Sequence, residues 1–291
     1  MPLSELSYKS ADGTQIVAYK WEPEDDRGPL AAVQLTHGMG EHAQRYDHVA
    51  RALNEDRFVV YAQDHRGHGA TAASAERLGQ LGPGGWRLLV EDIHLLNSLI
   101  RAEYPGLPVA LLAHSMGSFA AQQYLLDYSG EVDAVVLTGT TALDQLEPAF
   151  DLDQPIDLSG LNAAFAPART DFDWLSRDEA VVDAYVADPL CGFGLDVESG
   201  KEMFVAARRM ADPDAVARIR SDLPVYLAAG EQDPISGAGA LVEQVAGRLR
   251  AAGLTGVTVR AYPGARHEIL NETNRDEVTA DILAWLGPVL A

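Results

Sequence analysis

Apolar and polar positions alternate with a period of two over Leu3–Lys9 and Gln15–Trp21, and the Ala11-Asp12-Gly13 turn between them predicts a hairpin. Short apolar runs at 31–35 and 109–113 have the length and composition of buried strands, and further strands are expected at 57–63, 134–138, 224–229 and 257–262. Between them the spacing changes to three and four. Leu88, Leu89, Ile93, Leu96 and Ile100 lie on one face of a helix over 86–104, and further helices are expected at 45–54, after Gly117, at 239–250 and at 277–286. Strands joined by helical crossovers build a parallel sheet.

The alternation breaks once. From 143 to 210 there is no strand-like run, but there are four prolines and loose helical patches, after which the pattern resumes. The expected organisation is therefore one α/β core, 1–142 with 211–291, interrupted by an insertion at 143–210. Placed after the 134–138 strand, the insertion would cover the strand ends at which ligands bind in such sheets, as a cap or lid.

The 109–117 stretch, Val-Ala-Leu-Leu-Ala-His-Ser-Met-Gly, sets Ser115 at a strand-to-helix turn. A tight turn there exposes the hydroxyl and aims the free N–H groups of the next helix at any oxyanion formed beside it. The pattern is small-x-Ser-x-Gly, with Ala113 where the G-x-S-x-G elbow has its first glycine. A serine needs a base, and the base needs an acid behind it. His267 is the one histidine after Ser115, and it follows the 257–262 strand. For the acid, Glu231 and Asp233 compete in the Gly230-Glu-Gln-Asp-Pro loop. Asp233, beyond the turn glycine and before Pro234, is preferred and Glu231 is the runner-up. Oxyanion donors are expected at the N–H of Met116 and, in the His37-Gly38-Met39-Gly40 loop, at that of Met39.

Composition narrows the partners. With 43 acidic and 22 basic residues the formal charge is −21, a field that repels phosphate backbones and anionic membranes. The insertion alone carries 14 acids and 5 bases. No apolar run approaches the roughly 18 residues of a membrane span, and the first ten residues lack a targeting pattern, so a cytoplasmic protein without nucleic-acid or integral-membrane partners is expected. One cysteine, Cys191, rules out an intrachain disulfide.

Taken together, HGMGEH (37–42), DHRGHG (64–69), AHSMG (113–117), EQDP (231–234) and ARHEILNE (265–272) resemble the monoacylglycerol lipase and lysophospholipase group of α/β-hydrolases, also grouped with serine aminopeptidases. The resemblance spans essentially the whole chain. It implies an α/β-hydrolase fold, Ser115 as nucleophile, His267 as base, Asp233 as acid, and Met39 and Met116 as oxyanion donors. It also implies a cap over an acyl tunnel, a lipid or small-molecule ester as substrate, and no cofactor. His37, Gly38 and His114 near the reacting groups, and Phe165, Trp174 and Phe193 in the insertion, are the expected substrate contacts. Leu161, Phe172, Met203 and Phe204 either line the acyl site or pack the cap. No metal site is expected: His65 and His68 belong to a glycine-bounded turn, and His37 and His42 brace the oxyanion loop. Cys191 is either a reactive thiol or, as the simpler expectation, inert. The remaining readings are an aminopeptidase, which needs a carboxylate for the substrate's amino terminus, such as Asp173 or Glu179 of the insertion, and a non-catalytic binding protein on the same fold.

Overall fold

In a computed structural model that describes residues 3–25 and 27–290, eight strands form one sheet in the order β1-β2-β4-β3-β5-β6-β7-β8. The strands are β1 Leu3–Lys9, β2 Gln15–Trp21, β3 Ala31–Thr36, β4 Phe58–Gln63, β5 Val109–His114, β6 Ala134–Thr138, β7 Val225–Gly230 and β8 Val257–Tyr262. The hairpin β1–β2 joins β4 antiparallel, and β4, β3, β5, β6, β7 and β8 run parallel. The outermost residues of the expected core, 1, 2 and 291, and position 26 lie outside the described residues.

Every residue of β3, β4, β5, β6 and β7 is buried, as expected for parallel strands covered on both faces. Alternate residues feed two cores. Leu111 and Ala113 face α2 (Gly85–Glu103), α3 (Met116–Tyr128) and α8 (Ala240–Ala251), which contribute Leu89, Ile93, Tyr124 and Leu249. Ala110 and Leu112 face the other way, towards α1 (Asp47–Glu55) and α9 (Arg275–Leu290) with Leu53, Ile282 and Leu286.

Between β6 and β7 the chain contributes no strand. It runs through α4 (Leu143–Leu146), α5 (Glu179–Ala187), α6 (Val197–Ala207) and α7 (Pro213–Val216) with 3-10 turns between. Asp178, Asp196 and Asp212 cap α5, α6 and α7 by accepting from backbone N–H groups of the first turn. The segment's backbone is tied to the core. Glu268 N–H donates to Leu175 O (2.8 Å), Gly192 N–H to Gly40 O (3.0 Å) and Asp196 N–H to Gly79 O (3.0 Å). Among the described residues no helix is long and apolar enough to cross a membrane.

Candidate active site

The loops that leave the carboxyl ends of β3, β5, β7 and β8 converge on one point, above the centre of the sheet. Ser115 follows β5 and precedes α3, with φ +49° and ψ −123°, outside the regions that non-glycine residues favour. Its N–H donates to Thr138 O (2.9 Å), and its carbonyl accepts from Ser118 and Phe119, which locks the turn. Gly117 is required there, since a Cβ would stand 2.5 Å from His37 O and 2.6 Å from Thr36 O. Ala113, by contrast, is fully buried in β5 between Thr36 and Leu137 of the adjoining strands, and its methyl fits.

His267 stands on the loop after β8, almost wholly buried. Its Nε2 is 2.9 Å from Ser115 Oγ and its Nδ1 is 3.0 Å from Asp233 Oδ2. Asp233 is fixed in turn, its Oδ1 accepting from Ile235 N–H at 3.0 Å. In this arrangement Nδ1–H donates to the carboxylate and Nε2 is free to accept from the hydroxyl. Burial alone opposes a charge on the ring, but the Asp233 carboxylate outweighs it and raises the pKa above the ordinary histidine value. The other acid of the loop, Glu231, is exposed and outside this constellation. Gly230 allows the approach, because a Cβ there would lie 2.2 Å from the carbonyls of Ala265 and Arg266.

The loop after β3 faces the serine from the other side: a Cβ on Gly38 would be 3.1 Å from that of Ser115. Gly38 N–H is held by Glu41 Oε1 at 2.5 Å. Met39 and Met116 border the same chamber as Ser115 and His267, and among the described residues neither of their N–H groups has an acceptor. Beneath this loop His37 donates Nδ1–H to Gly38 O (2.8 Å) and accepts at Nε2 from His65 N–H (3.0 Å). Burial pushes the pKa of His37 well down, that of His65 to about 3 and that of His68 to about 4, so these rings are neutral struts at physiological pH.

A largely apolar chamber opens from Ser115. Phe119, Leu146, Phe150, Leu161, Trp174 and Met203 form much of its wall, and its free volume is about 50 Å³, room for little more than water. The expected contacts divide here. Trp174 lies on the wall and packs against the His267 ring at 4.8 Å. The other five do not line the chamber. His37 braces the loop from below, Gly38 lies within the loop with its N–H on Glu41, and His114 sits behind His267 with its Nδ1 on Thr138 Oγ1 at 3.0 Å. Phe165 stacks under the Arg266 guanidinium, and Phe193 packs on His68. His37, Gly38 and His114 are expected from their place beside the reacting groups, and Phe165 and Phe193 as apolar residues of the insertion; the side chains of His37, His114, Phe165 and Phe193 instead meet the partners just named. Two features escaped the sequence reading. Phe119, four residues beyond Ser115, shares its helix face, a signal that was present. The buried Glu41–Arg45–Glu268 cluster had only the i,i+4 pair Glu41–Arg45 to announce it.

Comparison with known proteins matches residues 27–274 to the family model described as serine aminopeptidase, S33. The monoacylglycerol lipase of Mycolicibacterium smegmatis is 33% identical over 97% of this chain and 96% of its own, and human monoglyceride lipase is 30% identical over 99% and 92%. A thermostable carboxyl esterase from Bacillus coagulans, solved in complex with glycerol, superposes with a TM-score of 0.89 at 30% identity over the full length of both chains. The chain thus belongs to the serine aminopeptidase S33 family of α/β-hydrolases, in its monoacylglycerol lipase-like group, and is a serine ester hydrolase.

Proposed function

We propose that the chain hydrolyses single-chain carboxylic esters, with monoacylglycerols as the leading substrate class, through an acyl-enzyme on Ser115. The observation that carries this reading is the Ser115–His267–Asp233 relay, at 2.9 and 3.0 Å, opening onto an apolar chamber. Ser115 Oγ attacks the ester carbonyl as its proton passes to His267 Nε2, and Asp233 stabilises the imidazolium. The carbonyl oxygen, now an oxyanion, accepts from the Met39 and Met116 N–H groups. His267 returns the proton to the departing alcohol. A water then attacks the acyl-serine, gives its proton to His267, and the acid leaves as Ser115 recovers its hydrogen.

The insertion, 143–210, acts as a cap that supplies Leu146, Phe150, Leu161, Trp174 and Met203 to the acyl site. With so little free volume in the chamber, these side chains must part to admit an acyl chain. The relatives named as monoacylglycerol lipases support the substrate class. An aminopeptidase would need an acid for the substrate's amino terminus, and no lining residue of the chamber is acidic. Asp173 is already occupied by Thr170 Oγ1 (2.6 Å) and Arg169 N–H (2.5 Å).

The test is hydrolysis of nitrophenyl esters of increasing acyl length, of a monoacylglycerol and of an aminoacyl amide, by the parent and by Ser115→Ala. Ester cleavage confined to the parent supports the proposal. Cleavage of the amide alone would make the chain a peptidase, and no turnover of any substrate would make it a binding protein.

A further inference from the structure

A second group of chemically able side chains lies outside the chamber, where the insertion meets the end of the β3 loop. One nitrogen of His42, one carboxylate oxygen of Asp188 and the sulfur of Cys191 are all within 4.8 Å of one another. His42 Nε2 and Asp188 Oδ2 are 3.0 Å apart. Ligands of a tetrahedral ion with bonds of 2.0–2.3 Å are roughly 3.3–3.8 Å from each other, so small side-chain rotations bring the three to coordination distance. The turn that carries two of them is already built. Asp188 Oδ1 accepts from Leu190 N–H (2.8 Å) and Asp188 O from Cys191 N–H (3.0 Å), which holds carboxylate and thiol on one side.

A comparable cluster nearby shows what such a group looks like when it is filled. Glu41, His114 and Glu268 also converge, but the Arg45 guanidinium occupies the space between the carboxylates, at 2.6 Å from each. Among the described residues no lysine or arginine forms an ion pair within the His42–Asp188–Cys191 group; Arg45 is close enough to act on the charges of Asp188 and Cys191, but its ion pairs go to Glu41 and Glu268. Of the three, Asp188 borders an open surface groove of about 380 Å³, which Arg45, His48, Tyr185 and Arg275 also line.

We propose that His42, Asp188 and Cys191 form a binding site for a zinc-class divalent ion, with solvent in the fourth position. A thiolate, an imidazole and a carboxylate suit zinc or cobalt(II) and do not suit magnesium or calcium, which take oxygen ligands. Binding replaces the His42–Asp188 hydrogen bond by two metal–ligand bonds: the proton that His42 Nε2 donates to Asp188 passes through solvent to Nδ1, leaving Nε2 free to ligate, and the thiol proton is released to solvent. The ion cross-links two parts of the chain. His42 closes the 37–42 segment that carries Met39, while Asp188 and Cys191 belong to the insertion, whose Gly192 N–H and Phe193 carbonyl already rest on Gly40. This departs from the expectation that His42 only braces the loop and that Cys191 is inert.

The experiment uses the full chain, reduced and freed of metal with a chelator. Cobalt(II) titration should give a near-ultraviolet thiolate-to-metal band saturating at one ion per chain, zinc should displace it, and zinc should raise the melting temperature. Cys191→Ser and Asp188→Asn, both nearly isosteric, should each weaken zinc binding by about a hundredfold or more, since even loss of an outer partner of a metal ligand costs 10–100-fold. Cys191→Ser should also abolish the band. His48→Ala, in the same groove, should leave zinc affinity unchanged. Absence of the band, zinc affinity within about threefold of the parent in both isosteric variants, or dependence on His48 instead overturns the proposal.

Discussion

Replacing Arg45 with methionine tests how the loop after β3 is held. Arg45 Nη1 contacts Glu41 Oε2 and Glu268 Oε1 at 2.6 Å each, and Nη2 reaches Glu268 Oε2 at 2.8 Å, with all three side chains at most 11% exposed. Burial pushes the Glu41 carboxyl up. At Glu268 burial acts the same way, but the guanidinium outweighs it and holds that carboxyl down. Removing the cation leaves two acids facing each other in the core, and breaking a buried pair in this way costs about 3–5 kcal/mol. At about 2.1 cal/mol/K per residue the chain unfolds with an entropy near 0.6 kcal/mol/K, so the melting temperature should fall by about 5–8 °C. Without Arg45 both carboxyls titrate above the ordinary glutamate value in the folded state. Their stabilising effect is then present below the unfolded pKa and lost as pH rises through the folded one, so the deficit should be larger at pH 8 than at pH 5. Thermal scans of parent and Arg45→Met at both pH values measure this. A shift under about 2 °C at pH 8, or equal shifts at the two pH values, would refute the reasoning. Adding Glu268→Gln should recover part of the loss. Because Glu41 Oε1 also fixes Gly38 N–H, kcat should fall in the single variant.

Other expectations follow from the same geometry. Gly117→Ala puts a methyl against two backbone carbonyls, so it should lose about 1–3 kcal/mol in thermal scans and slow ester cleavage; unchanged kcat would contradict the packing argument. Burial depresses His65 to about 3, His68 to about 4 and His114 to about 3, so each favours the fold above pH 6.5 and withdraws that support as pH falls towards those values. Melting temperature against pH should therefore drop steeply below 6.5, and less steeply in His68→Gln. Met203→Trp, which narrows the chamber, should lower kcat/KM for long acyl esters by tenfold or more while sparing acetate, measured across an acyl series. The rate should fall as pH drops through the raised pKa of His267. Asp233→Asn should move that limb to lower pH and cut kcat by up to about 10⁴, read from pH–rate profiles.

The strand and helix periods carried most of the core. The β1–β2 hairpin, β6 and β8 begin and end where alternation or apolar runs do, and helix ends differ by a few residues because fraying and 3-10 turns leave no mark in periodicity. Ser115, Asp233 and His267 could be singled out because each follows a strand in a fixed order, and the convergence of parallel strand ends brings such positions together. Side-chain direction was not legible. His114 precedes Ser115 by one residue yet points behind His267, since neighbours along a strand face opposite ways. In the insertion, with no regular period, Phe165 and Phe193 were indistinguishable from Trp174 until packing sorted them. The Glu41–Arg45–Glu268 cluster joins positions more than 220 residues apart, beyond any local pattern.

The edge where residues 172–177 run beside 265–272 bears on how such chains can be recombined. Trp174 and Leu175 supply carbonyls to the N–H groups of His267 and Glu268, Arg177 pairs with Glu272 at 2.9 Å, and Ser176 donates to Asn271 O. The segment that shapes the chamber and the loop that carries the imidazole are one mechanical piece in two stretches of sequence. A chimera that exchanged 143–210 alone with a relative would therefore set a foreign edge against the native histidine loop. The transplantable unit is discontinuous, and the chamber wall and the alignment of the imidazole are inherited together.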